Sequence, residues 1–408
     1  MKNNRKNVYK KPNPFVFGLF KLGSKIMTKF KFKLKVLRNE TLTAKKPYVL
    51  IANHASAIDF MSICACLKGR AHYVISNSFY ESLSIHPFLK ACAVIPKNQF
   101  QTTIVDLKKM KRVIDNDMPL VIYPAGMMPE DGASTPIPLS TGKALKWLNA
   151  DVYVAYSSGS YFTKPKWGKK FRSGKITIDI YKLYDRETLV NTADDEVQLA
   201  VEKHLYFDEY AVQETALVPY KKGNLIEGLE NVLFKCPECG KEFTFETKRD
   251  TMTCKNCNYS VKADKYGLLN LNSGSKLYFN LVSKWAKHNE KLLIDEITSN
   301  PNFNLTGKGI IKQVNHKKHK YLPVGDCLIT LDKDKFTLSG VIGDKPISKE
   351  FSTSLYPTMP FSPGKYFELQ DGTDVYRIEL LDGKQTIKWA VALKIFYRLK
   401  KGGNFFDA

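Results

Sequence analysis

Two groups of residues in this 408-residue chain have types and spacings that could do chemistry. The first is the run Asn53-His54-Ala55-Ser56-Ala57-Ile58-Asp59. A carboxylate on an imidazole Nδ1–H fixes the tautomer and leaves Nε2 free to act as a base. Five residues of regular helix turn through about 500°, which would leave the two side chains roughly 140° apart. They can meet only if His54 lies in a turn, Asp59 lies in the first turn of a helix, and the chain bends between them. A structural histidine beside an unrelated helix-start aspartate satisfies the spacing equally well. The context favours chemistry. The run follows directly on Tyr48-Val-Leu-Ile51, a buried-strand pattern, and α/β folds place their reactive groups at the C-terminal ends of such strands.

The second group is Cys236-Pro-Glu-Cys239 and Cys254-Lys-Asn-Cys257, two C-x-x-C pairs separated by 14 residues. Each pair forms a knuckle turn that points two thiolates at one ion, and two knuckles complete a tetrahedral Cys₄ zinc site. Such closed sites are structural, so no metal catalysis is expected from it. Iron in place of zinc and a disulfide framework are the competing outcomes. The other cysteines (Cys64, Cys66, Cys92, Cys327) sit in apolar surroundings, and a reducing, cytosolic compartment accounts for all eight.

The elements that position these groups are legible in outline. Hydrophobic residues make up 43% and charged residues 25% of the chain, which excludes collagen-like, coiled-coil and wholly disordered classes. From residue 47 to about 213, strand and helix patterns alternate, which argues for an α/β layer structure. Strands are expected at 48–51, 72–75, 120–123, 152–156 and around Ile176, Ile178 and Ile180. Helices are expected at 103–114, with Ile104, Leu107, Val113 and Ile114 on one side, and at 140–148, capped by Ser140. A helical stretch at 277–297 follows the cysteine pairs. Beyond residue 300, short apolar runs separated by Gly/Asp/Lys turns lead to a last helix at 386–399, with Trp389, Leu393 and Phe396 on one stripe. Several antiparallel strands closed by one helix resemble a pleckstrin-homology-like barrel.

The charge is uneven. Lys and Arg number 63 against 40 Asp and Glu, a formal +23. Residues 1–46 hold fourteen of these cations and a single acid, Glu40. Only nine of the 63 cations are Arg. Lysine is a mobile point charge rather than a fork that reads phosphates or bases, so this arm suits diffuse attraction to an anionic surface. Phe15, Leu19, Leu22 and Ile26 fall at helical spacing with Lys21 and Lys25 between them. Phe30, Phe32, Leu34 and Val36 then alternate with lysines in strand fashion. A basic amphipathic helix of this kind either packs on the protein's own core or lies in a bilayer interface, and the local charge favours the bilayer. No run of 18 apolar residues occurs, so a conventional membrane span is not expected, and no secretory signal is evident.

The segment from Pro119 to Gly132 (PLVIYPAGMMPEDG) is a buried strand ending in a Pro-Ala-Gly loop and an acidic glycine turn. With the His54 run, it resembles the glycerolipid acyltransferase family, typified by the 1-acyl-glycerol-3-phosphate acyltransferases. The family's N-H-x-S-x-x-D block is matched by Asn53, His54, Ser56 and Asp59, and its F-P-E-G-T-R-S block only in part. Ala125 stands where the family has Glu, Met127 and Met128 where it has Thr and Arg, and Ala155 where a later block usually has Pro. Methionine neither donates hydrogen bonds nor neutralises charge, so the phosphate clamp that the family's block supplies is altered. Lys97, in Val94-Ile-Pro-Lys97, stands near the family's basic second block.

The fold class implied is α/β: an acyltransferase-type sheet with flanking helices, plus a small zinc ribbon and a C-terminal, mainly-β pleckstrin-homology-like domain. The expected divisions are a basic amphipathic arm and first strand at 1–46, the acyltransferase domain at 47–215, the Cys₄ ribbon at 232–266, a helical connector at 267–302 and the β-rich domain at 303–402. The resemblance implies acyl transfer from acyl-CoA or acyl carrier protein to a lysolipid-type hydroxyl. His54 is then the general base and Asp59 its partner, with Asn53, Ser56, Lys97, Pro124 and Gly126 in substrate binding. Backbone N–H groups near Gly126 would stabilise the oxyanion. The expected cofactor is structural zinc on Cys236, Cys239, Cys254 and Cys257, and the expected partner is an anionic membrane surface touched from the cytoplasm. The loop His316-Lys-Lys-His-Lys320 could touch its headgroups. Two alternatives stand beside this reading: a non-catalytic lipid-binding scaffold on the same fold, and a nucleic-acid-binding protein using the ribbon. Acidic residues offset most of the ribbon's charge, and nucleic acid is not expected as a partner.

Overall fold

Parallel strands covered by helices on both faces need apolar residues at every position, and the run at 48–52 supplies them: all five residues are buried. The computed structural model describes residues 9–81, 85–99, 103–221, 223–372 and 374–401, so the first eight residues of the basic arm lie outside the described residues. The chain divides into two units. The first comprises Met1–Pro165 and Phe171–Gly223, and the second Lys166–Lys170 and Asn224–Ala408.

In chain order, the first unit contains helix α1 (Pro14–Phe30), strands β1 (Lys35–Asn39) and β2 (Tyr48–Ala52), helix α2 (Asp59–Cys66) and strand β3 (His72–Ser76). Next come helices α3 (Asn77–Glu81) and α4 (His86–Ala91), strand β4 (Ile95–Lys97), helix α5 (Ile104–Asp115), strand β5 (Leu120–Ile122) and helix α6 (Thr141–Leu148). Strand β6 (Asp151–Ser158), helix α7 (Ser160–Thr163), strand β7 (Thr177–Tyr184) and helices α8 (Arg186–Asn191), α9 (Asp194–Leu205) and α10 (Glu209–Ala216) complete it. The seven-stranded sheet has the order β1-β7-β6-β2-β5-β3-β4. Strand β2 pairs in parallel with β5 and β6, placing Val49 opposite Leu120 and Val152. Strand β3 pairs in parallel with β5 and β4, so β2 to β6 all point one way and their C-terminal ends share one edge. Strand β7 runs antiparallel to β6, and β1 parallel to β7.

Three local expectations are corrected. Helix α1, opened by Pro14 and by Asn13 Oδ1 accepting the N–H groups of Phe15 and Val16, runs on through Phe30. The strand starts only at Lys35, and its residues are largely exposed. The alternation read from Phe30 onward is instead a helix end plus a turn, with Lys33 at φ +43° and Phe32 dropped into the core. Helix α5 buries Asp106, Met110, Val113 and Ile114, whereas Ile104 is exposed. Ser140 makes no capping bond, and the Gly142 N–H at that helix start donates to Gln198 Oε1 of α9.

The second unit holds a four-stranded antiparallel sheet of β8 (Phe245–Lys248), β9 (Thr251–Cys254), β10 (Ser260–Ala263) and β11 (Leu269–Ser273), then helix α11 (Val282–Ser299). A second sheet follows: β12 (Leu305–Asn315), β13 (Lys320–Leu331), β14 (Lys335–Ile342), β15 (Lys345–Ser352), β16 (Phe361–Ser362), β17 (Tyr366–Asp371) and β18 (Asp374–Leu380), ordered β15-β14-β13-β12-β18-β17-β16. Helix α12 (Thr386–Lys401) closes it, stacking Trp389 on Phe336 and Phe367 at centroid distances of 6.1 and 5.7 Å.

Candidate active site

The chain leaves the buried end of β2 at Ala52 and turns through residues 53–58 into α2. Asp59, first residue of that helix and 1% exposed, folds its carboxylate back over the turn. Its Oδ2 accepts the N–H groups of Ala55 and Ser56 at 2.7 and 2.8 Å and lies 3.0 Å from His54 Nδ1. One carboxylate oxygen thus ties the loop and aims the ring. The bend that the spacing demanded is made by the aspartate itself. His54 keeps 22% of its side chain exposed, so the pair combines a buried anion with a ring that reaches solvent.

Two neighbours absent from the expected set complete the surroundings. Tyr123, which leaves the end of β5, packs its ring on His54 with centroids 4.6 Å apart. Among the described residues its buried hydroxyl has no hydrogen-bond partner, nor has Asp59 Oδ1. Glu209, the buried first residue of α10, accepts the Gly159 N–H on both carboxylate oxygens at 2.8 and 2.9 Å. Burial raises this carboxyl from 4.5 to about 8 against the pull of the Gly159 N–H, and the negative charge of Asp59 adds to the rise. An aromatic beside a proline at a strand end could have flagged Tyr123. Nothing in the local sequence marks Glu209.

The remaining expected residues separate into groups. Asn53 and Ser56 are 3% and 0% exposed, and their polar atoms are engaged within the protein. Asn53 trades two hydrogen bonds of 2.7 Å with the backbone of Ser157, extending the β2–β6 pairing past the strand end. Ser56 Oγ donates to the Lys164 carbonyl. Both therefore tie the loop to β6 and to the segment that follows it. The Gly126 N–H donates to the Tyr123 carbonyl in a tight turn at φ +67°. Pro124 and Met127 are buried, and the Gly126 carbonyl accepts from Gln99 Nε2. Lys97 ends β4 on the same sheet edge, three strands from β2, which at about 4.8 Å per strand puts its backbone roughly 14 Å from that of His54. Burial lowers its pKa, partly offset by Asp106, and its Nζ donates to the Asn98 carbonyl.

In the second unit, Cys236, Cys239, Cys254 and Cys257 converge, with all four sulfurs within 4.8 Å of one another. Among the described residues, they form the cluster within that unit that could hold a metal.

A partly exposed imidazole steered by a buried carboxylate, at the C-terminal edge of an α/β sheet, is the equipment of an enzyme that works through a general base. Residues 33–156 match the family model described as Acyltransferase. This part of the chain is an acyltransferase domain, and the protein is an acyltransferase enzyme. No curated protein matches the chain. A solved structure similar to it is the 1-acyl-sn-glycerophosphate (LPA) acyltransferase PlsC from Thermotoga maritima, 15% identical, with a TM-score of 0.42, over 52% of this chain and 83% of that one.

Proposed function

We propose that the protein transfers a fatty acyl chain from acyl-CoA or acyl carrier protein to a hydroxyl of a lysophospholipid or related lipid acceptor, working at an anionic membrane surface. The observation that carries this reading is the His54–Asp59 contact of 3.0 Å inside an acyltransferase domain. His54 Nε2 takes the acceptor's proton as the alkoxide forms and attacks the thioester carbonyl, which is general-base assistance worth about 10²–10⁴-fold. The tetrahedral intermediate then expels the thiolate, to which the imidazolium returns the proton. Asp59 keeps the tautomer and stabilises the imidazolium. The loop from Pro124 to Met128 offers no cation, so an acceptor phosphate is met at the other end of the edge, by Lys97.

Helix α1 supports attachment to a bilayer. Phe15, Leu19, Leu22, Ile26 and Phe30 form one stripe, each more than half exposed, while Phe17, Ser24 and Thr28 on the opposite side are buried. Solvent-facing phenylalanine and leucine at this spacing, flanked by Lys25 and Lys29, fit an interfacial helix. No described helix is long and apolar enough to cross a membrane. In this reading the enzyme is cytoplasmic and peripheral, and the β-rich part of the second unit is a pleckstrin-homology-like module. The exposed Lys317 and Lys318 of its first hairpin meet headgroups.

The test is incubation of the full chain with labelled acyl-CoA, or acyl carrier protein, and a panel of lysolipids in anionic vesicles. Product that disappears with His54→Ala supports the proposal. Vesicle binding with no product from any acceptor or donor overturns it in favour of a lipid-binding scaffold.

A further inference from the structure

The two cysteine knuckles share one backbone plan. In each, the first cysteine donates its N–H to the carbonyl five residues on (Cys236 to Lys241, Cys254 to Tyr259), at 2.9 and 2.8 Å. In each, the residue after the second cysteine turns into the left-handed region and returns its N–H to the first cysteine's carbonyl: Gly240 at φ +70° and Asn258 at φ +63°. Two such turns face each other across the sulfurs. The cross-knuckle separations are 3.7 Å for Cys236 to Cys257 and 3.8 Å for Cys239 to Cys254. A zinc–sulfur bond of about 2.3 Å gives a tetrahedron whose sulfur–sulfur edge is about 3.8 Å, whereas a disulfide needs about 2.05 Å. The geometry therefore fits four thiolates around a central ion. Thr244 Oγ1, 3.1 Å from Cys254 Sγ, supplies an outer-shell hydroxyl.

The same turns are tied to both helices of the second unit. Glu242, in the loop that follows the first knuckle, reaches Lys388 Nζ of α12 at 2.9 Å, and Lys388, only 7% exposed, also holds Glu296 of α11 at 3.2 Å. Trp285 Nε1 of α11 donates to the Lys235 carbonyl beside Cys236, and its ring meets Phe245 of β8 edge-on at 5.4 Å. Lys384 Nζ, just ahead of α12, donates to the Phe245 carbonyl.

We propose that Cys236, Cys239, Cys254 and Cys257 hold one zinc ion in a closed structural site, and that this ion fixes the first sheet of the second unit to helices α11 and α12. The site needs nothing from the acyl-transfer chemistry. Its test is elemental analysis of the full chain purified without chelator, followed by hydrogen–deuterium exchange before and after metal removal. One zinc per chain is expected, with faster exchange after chelation in the knuckles and also in α11 and α12. Thr244→Val is expected to bind zinc about 10–100-fold more weakly against a chromophoric chelator, which gives a readout even if Cys254→Ser does not fold. Iron, two disulfides or no metal would overturn the site. Exchange that quickens in the knuckles alone would overturn its role in holding the helices.

Discussion

The ring of Tyr123 lies against the imidazole of His54, centroids 4.6 Å apart and planes tilted by 36°. The two residues follow neighbouring strands, β5 and β2, so sheet pairing sets their meeting. The tyrosine ring limits rotation of the imidazole about its side-chain bonds, and Asp59 limits it from the Nδ1 side. Tyr123→Phe is expected to keep kcat near the wild-type value. Tyr123→Leu should lower kcat by about 10–100-fold with KM little changed, since misplacing a reacting group by about an ångström costs that much. Steady-state kinetics on the two variants check this, and equal loss in both would show that the hydroxyl, not the ring, is the active part.

His54 and Asp59 should separate when activity and stability are measured together. His54→Ala removes the base and should abolish detectable turnover while leaving the thermal transition almost unmoved, because the ring is partly exposed. Asp59→Ala also strips the acceptor from the Ala55 and Ser56 N–H groups. It should cost activity and about 1–3 kcal/mol of stability for each donor left unpaired. Similar melting curves for the two variants would contradict this double role.

Glu209 makes stability depend on pH in a definite direction. Its folded-state value of about 8 stands above the ordinary 4.5. The folded chain therefore keeps a proton that the unfolded chain releases. Its contribution is fully present below about pH 4.5 and is lost as pH rises towards 8, at up to ~1.4 kcal/mol per unit. Glu209→Gln keeps an acceptor for the Gly159 N–H and removes the titration. Urea midpoints of wild type should fall between about pH 5.5 and 7.5, and those of Glu209→Gln should fall less.

Helix α1 presents residues of opposite expectation. Leu19 and Leu22 are each 56% exposed, whereas Phe17 is 3% exposed. Replacing both leucines by serine should cut partition onto anionic vesicles by about a hundredfold or more, given about 1.5–3 kcal/mol for each large side chain buried, with no change in melting. Phe17→Ser should do the reverse. Vesicle sedimentation and calorimetry on both variants decide the point.

Much of the site was legible because its contacts are local. His54 and Asp59 lie five positions apart, and each C-x-x-C knuckle closes on itself, so spacing and residue type carry the geometry. Strand β2 was legible because a parallel strand buried on both faces needs an unbroken apolar run. The end of α1 is not legible in the same way: lysine–phenylalanine alternation fits a helix end and turn as well as a strand, and long-range packing of Phe32 decides between them.

The amino-acid sequence by itself therefore determined the His54–Asp59 contact, the four sulfurs, the alternating strand–helix plan and the amphipathic character of the first helix, all of them patterns written within a few turns of chain. Only the tertiary structure decided which groups stand around the pair. Tyr123 and Glu209 come to the site from 69 and 155 positions beyond His54, through strand order and helix docking. The same long-range pairing turned Asn53 and Ser56 inward. Which backbone and side-chain groups are already hydrogen-bonded is a property of the folded sheet edge, and no local spacing encodes it.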